Sequence, residues 1–136
     1  MYKKITLLVL FALTLTSCDP LHVIVFENKT PDITHVILKM KPDAKNFDLM
    51  QQASEDKTIT YTLQPAGKSA NEGILDFGIG TWDDTEIQGI AAELESITIE
   101  NKNTKTVYKS TDAITKLLSS DKEGFLYSTV LKVAIE

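Results

Sequence analysis

The segment Lys57-Thr58-Ile59-Thr60-Tyr61-Thr62-Leu63 indicates the fold class of this chain more clearly than any other. Its side chains alternate strictly, so that Ile59, Tyr61 and Leu63 share one face and the three threonines share the other. A period of two with β-branched and aromatic residues is typical of a strand that buries one face of an antiparallel sheet. We therefore predict a strand here and an antiparallel sheet around it.

Other short apolar runs predict the remaining strands. They cover residues 22–27, 33–40, 74–79, 96–100, 106–109 and 125–135. In the last of these, Val130 and Ala134 lie on one face while Phe125, Tyr127 and Leu131 lie on the other. Because both faces are apolar, we expect this strand to be central in its sheet and covered on both sides.

Two similar turn segments separate pairs of these strands. Pro and Asx residues at 28–32 predict a hairpin in which residues 22–27 pair with residues 33–40. Residues 101–105 predict a second hairpin. Both turns begin with Asn-Lys after a strand that ends in Glu, so we expect the same hairpin chemistry in both.

Two short helices are expected between the strands. Acidic residues at 83–86, followed by apolar residues at helical spacing, predict the first helix. Ser110 or Thr111 can cap the second one. Residues 42–56 are polar and fit either a short helix opened by Pro42 or a loop.

Together these elements indicate a mainly β fold. About seven short strands with polar turns and one or two short helices predict an antiparallel two-sheet sandwich, immunoglobulin-like or transthyretin-like. An α+β open sheet with the helices on one face is the alternative. Either arrangement forms a single β-rich domain over residues 22–136, and Gly73, Gly78 and Gly80 indicate a bulge or tight strand ends within it.

The first eighteen residues have the layout of an export signal. Lys3 and Lys4 precede an uninterrupted apolar run at residues 5–15, and two small residues then lead to Cys18. As a helix this run would be about 16 Å long, roughly half the thickness of a bilayer's hydrocarbon core, so it is too short to span one. An ordinary secretory signal fits less well, because cleavage after Ser17 would leave Leu15 where a small residue is required.

Leu15-Thr16-Ser17-Cys18 resembles the lipobox of bacterial lipoproteins. The resemblance implies a diacylglyceryl group on Cys18, cleavage before it by signal peptidase II, and acylation of the new amine. Residues 1–17 would be the signal peptide, residues 18–21 a short lipid-anchored tether, and the membrane a partner through the lipid on Cys18. The expected location is the bacterial cell envelope, with the domain facing the periplasm or the surface. Two or three acyl chains give firm anchoring.

A second, looser resemblance spans most of the chain after Cys18. It rests on Glu-Asn-Lys-Thr at 27–30, Gln-Pro-Ala-Gly-Lys at 64–68, Gly-Thr-Trp-Asp-Asp at 80–84, and a C-terminal unit in which a strand, a turn with a Tyr and a helix precede the last strand. These features resemble small lipoproteins of Bacteroidetes-type bacteria. Because those families have no assigned activity, the resemblance implies location and fold and transfers no functional residues.

Charge and cysteine content exclude several classes of function. The net charge of −5 becomes −7 when Lys3 and Lys4 are removed with the leader, which argues against a nucleic-acid partner, since such a partner requires a clustered basic surface. Cys18 is the only cysteine, which excludes an internal disulfide, a cysteine nucleophile in the domain and a cysteine-rich metal site.

The candidate chemistry is sparse. His22 and His35 are the only imidazoles, and the predicted first hairpin would keep them apart, so we expect surface or rim positions for both. Asp83, Asp84 and Glu86 are weak candidates for a metal site, but a helix N-terminus favours acids in the same way. Trp82 fits either a core anchor or an exposed contact residue. No motif for a cofactor is present.

The expected function is therefore a non-enzymatic one. We expect an envelope lipoprotein whose β-rich domain binds another envelope protein or a surface ligand. A lipoprotein that neutralises a toxin is the first alternative, since such proteins are also small, acidic and tethered. A small envelope hydrolase or metal-binding protein is the second, and it would require residues far apart in sequence to converge.

Overall fold

The computed structural model describes residues 20–123 and 129–136. Cys18, the leader before it, and Phe125 and Tyr127 of the expected last strand lie outside the described residues. The elements in chain order are β1 (Leu21–Asn28), β2 (Thr34–Met40), α1 (Phe47–Gln52), β3 (Thr58–Leu63), β4 (Glu72–Ile79), α2 (Asp84–Glu93), β5 (Leu94–Glu100), β6 (Lys105–Tyr108), α3 (Thr111–Leu118), β7 (Asp121–Glu123) and β8 (Val130–Ile135).

The strands form two four-stranded sheets that face each other. The first has the order β4-β1-β8-β7 and the second the order β3-β2-β5-β6. All neighbours are antiparallel except β1 and β8, which run parallel. The prediction of a mainly β two-sheet sandwich is confirmed, with one parallel pair that the sequence did not indicate.

The core lies between the two sheets. Its buried apolar side chains include Ile24, Phe26, Leu75, Leu131 and Val133 from the first sheet, and Val36, Leu38, Ile59, Leu63 and Ile97 from the second. Helices α2 and α3 contact each other, and α3 also contacts both β5 and β8. These two helices therefore cover the side of the sandwich that lies between β8 of the first sheet and β5 of the second.

The predicted hairpin between residues 22–27 and 33–40 is wrong. β1 pairs with β4 and β8, whereas β2 pairs with β3 and β5, so the turn after Asn28 carries the chain from one sheet to the other. The reason is burial, since the five residues from His22 to Phe26 are all buried. A strand covered on both faces needs neighbours on both edges and a second layer, which a surface hairpin cannot supply.

The expected last strand is central, as predicted, because β8 lies between β1 and β7. It is not fully covered on both sides: Leu131, Val133 and Ile135 are buried, but Val130 and Ala134 remain partly exposed. The short strand β7 has no periodicity that would have indicated it.

The helices begin at side-chain caps. Asn46 Oδ1 accepts a hydrogen bond from the Leu49 N–H, so α1 starts at Asn46 and not at Pro42. Ser110 Oγ accepts from the Ala113 N–H and begins α3. The described part thus has three helices where one or two were expected, and none of them has the length and apolarity needed to cross a bilayer.

Candidate functional site

An open cleft of about 440 Å³ lies where β1 begins, between the end of β4, the start of α1 and the first turns of α2. Its aromatic and aliphatic lining includes Phe77, Ile79, Trp82 and Ile90, and its polar lining includes His22, Asn46, Asp48 and Glu86. We call it the His22 cleft. Its volume is within the range of sites for small molecules, about 300–1,000 Å³.

A bulge in β4 shapes one wall of the His22 cleft. Leu21 pairs with Ile79 and Val23 with Asp76, so β4 contains one residue more than β1 over this interval. Gly78 has a φ of +81°, a left-handed conformation that favours glycine, and its N–H donates to Asp76 Oδ1 at 2.8 Å. The bulge that the glycines predicted is therefore confirmed.

An aromatic cluster forms the floor of the cleft. The ring centroids of His22 and Trp82 lie 3.9 Å apart, and those of Phe77 and Trp82 lie 5.1 Å apart in an edge-to-face arrangement. Trp82 is buried, and its Nε1 donates a hydrogen bond of 3.0 Å to the carbonyl of Val23. Of the two interpretations of Trp82, the core anchor is correct.

The expected surface or rim position of His22 is wrong. The residue is only 8% exposed, because β1 is covered on both faces. Its Nε2 atom has no hydrogen-bond partner among the described residues, and the nearest carboxylate oxygen, Glu86 Oε2, is 3.9 Å away. A buried polar atom without a partner costs about 1–3 kcal/mol of stability. Among the described residues that line the cleft, His22 is the one with a buried polar atom that lacks a partner.

Glu86 and Asp83 form a capping box at the start of α2. Asp83 Oδ1 accepts from the Glu86 N–H at 2.8 Å, while Glu86 Oε2 accepts from the Asp83 N–H at 3.4 Å. This geometry confirms the helix N-terminus as the reason for the acids. In the part of the chain that the structure describes, no three His, Cys, Asp or Glu residues converge as a metal site, so Asp83, Asp84 and Glu86 do not form one.

Helix α1 supplies Asp48 and is fixed to the free edge of β4. Gln52 Nε2 donates to the Asp76 carbonyl at 2.8 Å, and Gln52 Oε1 accepts from the Asp76 N–H at 2.9 Å. The side-chain amide thus satisfies backbone groups that an edge strand would otherwise leave open. A second groove, lined by Gln51, Gln52 and Asp76, adjoins the cleft at Asp48.

His35 lies far from this cluster in the fold. It belongs to β2 in the second sheet, where its Nδ1 is 3.2 Å from Thr62 Oγ1. The two histidines do not converge: His35 pairs across the strands with Glu100, and His22 lies beside Glu86. Among the described residues, the lining of the His22 cleft contains no Ser, Thr, Cys or Lys that could act as a nucleophile.

Comparisons of the chain with protein-family models, with curated proteins and with solved structures found no match. The function must therefore be inferred from the cleft and from the sequence before β1.

Proposed function

We propose that the protein is a lipoprotein of the bacterial cell envelope, held on a membrane by lipid on Cys18, whose β-sandwich binds a ligand or a partner protein in the His22 cleft without catalysis. The observation that carries the binding role is that His22 lines an open cleft while its Nε2 atom is buried and has no hydrogen-bond partner among the described residues. A bound ligand would satisfy this atom and recover its cost.

The short spacer before β1 supports a cleft that works close to the proposed anchor. β1 begins at Leu21, three residues after Cys18, so a fully extended chain would separate the two by about 10 Å. Leu21 and its cross-strand partner Ile79 are both 65% exposed, which gives an apolar surface at this end of the domain. A ligand of the His22 cleft would therefore be one that is present close to the membrane.

The anchor is tested by metabolic labelling with a radioactive fatty acid in a bacterial host. We expect Cys18→Ser to abolish the label and to leave the leader uncleaved, because the lipid attaches to sulfur and the cleavage requires it. Ser17→Ala, which keeps a small residue, is the matched control and should be labelled and cleaved normally. Cleavage and labelling of Cys18→Ser at the wild-type level would refute the proposal.

The binding role is tested by affinity capture from membranes with the native anchored protein. We expect a molecule that is retained by the wild type and by Glu95→Gln but lost with Glu86→Gln. Of these two glutamates, only Glu86 lines the cleft. A hydrolase activity that His22→Ala abolishes would instead favour an enzyme and overturn the non-catalytic part of the proposal.

A further inference from the structure

We infer that the His22 cleft binds a primary ammonium group carried on an apolar stem. This inference rests on the proposed binding role and names the chemical class of the ligand. Three features of the cleft carry it, namely its charge, the spacing of two acceptor atoms and its apolar wall.

The charge of the cleft favours a cation. Asp48 on α1 and Glu86 on α2 both line it, and among the described residues its lining contains no Lys or Arg. Asp76 adds a third carboxylate in the adjoining groove, next to Asp48. Two carboxylates in a partly enclosed cleft that contains no Lys or Arg create a negative potential, which raises the local concentration of cations and disfavours anions.

The spacing of His22 and Glu86 suits one nitrogen donor. His22 Nε2 and Glu86 Oε2 lie 3.9 Å apart, too far for a hydrogen bond to each other. Because Nε2 has almost no surface open to the cleft, the Glu86 side chain, which is 47% exposed, must move outward to admit a nitrogen, and that nitrogen can then lie about 2.8 Å from both atoms. An ammonium group has three N–H donors, so it can donate at once to a neutral imidazole nitrogen and to a carboxylate. The buried Nε2 atom, which has no partner among the described residues, would then gain one.

The apolar lining of the cleft suits an apolar stem. Phe77, Ile79 and Ile90 line the cleft, and Ile79 is 65% exposed. An aliphatic or aromatic stem would cover this surface while its ammonium group reaches His22 and Glu86. A hydroxyl group has only one O–H donor, so it can satisfy only one of the two acceptors, and it also lacks the charge that the carboxylates favour.

The chain provides its own probe of occupancy. Trp82 is the only tryptophan and lies in the floor of the cleft, so its fluorescence reports binding directly. The purified lipidated protein would be titrated in detergent with benzylamine, with benzyl alcohol as the neutral match and with benzoate as the anion. We expect a saturable change with benzylamine, binding of benzyl alcohol that is at least about tenfold weaker, and no response to benzoate. The amides of N-acetyl-lysine and N-acetyl-norleucine, compared in the same way, distinguish a lysine side chain from a small free amine.

Variants connect the response to the cleft. Glu86→Gln removes the charge but keeps the acceptor of the capping box, so the fold should be unchanged while benzylamine binds at least about tenfold more weakly. Glu95→Gln removes an exposed carboxylate paired with Lys39 on the second sheet, and it should bind like the wild type. Circular dichroism and urea unfolding check that both variants are folded.

Several outcomes would overturn the inference. These are equal binding of benzylamine and benzyl alcohol, a Glu86→Gln variant with wild-type affinity for benzylamine, and no response to any amine. In each case the labelling of Cys18→Ser still decides the anchor separately. Capture of a molecule that is not an amine would support the binding role and overturn only this inference.

Discussion

Asn28 and His22 lie at opposite ends of β1 and are both buried polar residues, but only Asn28 has its hydrogen-bonding groups satisfied. Asn28 Oδ1 accepts from the N–H and the hydroxyl of Thr30, at 3.0 and 2.8 Å. Its Nδ2 donates to the carbonyls of Asp32 and Gln64, at 2.7 and 3.0 Å. At the other end, His22 Nε2 lacks any such partner among the described residues. The first end is satisfied within the fold, and the second retains an unpaired buried atom, whose cost a bound ligand would offset.

The difference between the ends is also one of connectivity. The Asn28 side chain bridges the turn that leaves the first sheet and the carbonyl of Gln64, which directly follows β3 of the second sheet. His22 contacts aromatic rings and bridges nothing by hydrogen bonds among the described residues. Three substitutions test this difference. Asn28→Ala and His22→Leu change the two ends of β1, and Tyr61→Phe changes a residue of β3 that lies beside Phe26 of β1.

Asn28→Ala should lower the free energy of unfolding by about 3 kcal/mol, because it leaves several buried donors and acceptors without partners. Urea unfolding followed by circular dichroism measures the loss. Asn101→Ala is the matched control, since Asn101 Oδ1 accepts from the N–H groups of Asn103 and Thr104 in an exposed hairpin. We expect it to cost about 1 kcal/mol or less. Equal losses in the two variants would contradict the structural role of Asn28.

Tyr61 on β3 tests a position between the two ends of β1. Its ring lies beside Phe26 of β1, and its hydroxyl donates to the Ile74 carbonyl at 2.9 Å. Tyr61→Phe should cost about 1 kcal/mol at neutral pH through loss of this hydrogen bond. Burial raises the pKa of Tyr61 to about 12, from an ordinary value of 10.0. Its protonated form is therefore favoured by folding, so this contribution is present below pH 10 and is lost as the pH rises through 12.

Titration of tyrosinate absorbance checks the pKa of Tyr61. The wild type should show a late-titrating tyrosine that Tyr61→Phe lacks, and stability should fall less steeply in that variant over the same pH range. A wild type whose tyrosines all titrate near pH 10 would contradict the burial of this hydroxyl.

His22→Leu should have the smallest effect on stability, within about 1 kcal/mol, even though His22 is buried. The variant loses ring packing on Trp82 but also removes a buried nitrogen atom without a partner among the described residues, and the two effects oppose each other. Urea unfolding provides the measurement. A loss as large as that of Asn28→Ala would show that His22 is a structural residue and would remove the contrast between the two ends.

The two Asn-Lys turns show how far local sequence predicts this fold. In both, an asparagine Oδ1 accepts from the N–H two residues later, at Thr30 in one turn and at Asn103 in the other. The second turn closes the β5–β6 hairpin, as predicted, but the first one connects the two sheets. Lys102 Nζ lies 2.7 Å from Asp32 Oδ1, so the turns meet in space. The hydrogen bonds that the two turns share are local and could be predicted. Which strand pairs with which depends on distant parts of the chain and could not.

The candidate site shows the same division. The acidic start of α2, a cap for α3 at Ser110 or Thr111, the burial of one face of β3 and an irregularity at the glycines of β4 follow from short-range patterns, and all four were predicted. The burial of His22 was missed, although the run of apolar residues from Val23 to Phe26 that follows it was a signal that this strand has no exposed face.

The sequence by itself determined every described strand except β7, the entries of α2 and α3, and a mainly β sandwich, because alternation and capping act between residues a few positions apart. Only the tertiary structure decided that β1 pairs with β4 and β8 and not with β2, and that His22, Trp82 and Glu86 meet in one cleft. The physical reason is that strand pairing is selected by burial of both faces of β1 against elements distant in the chain, which no local pattern encodes.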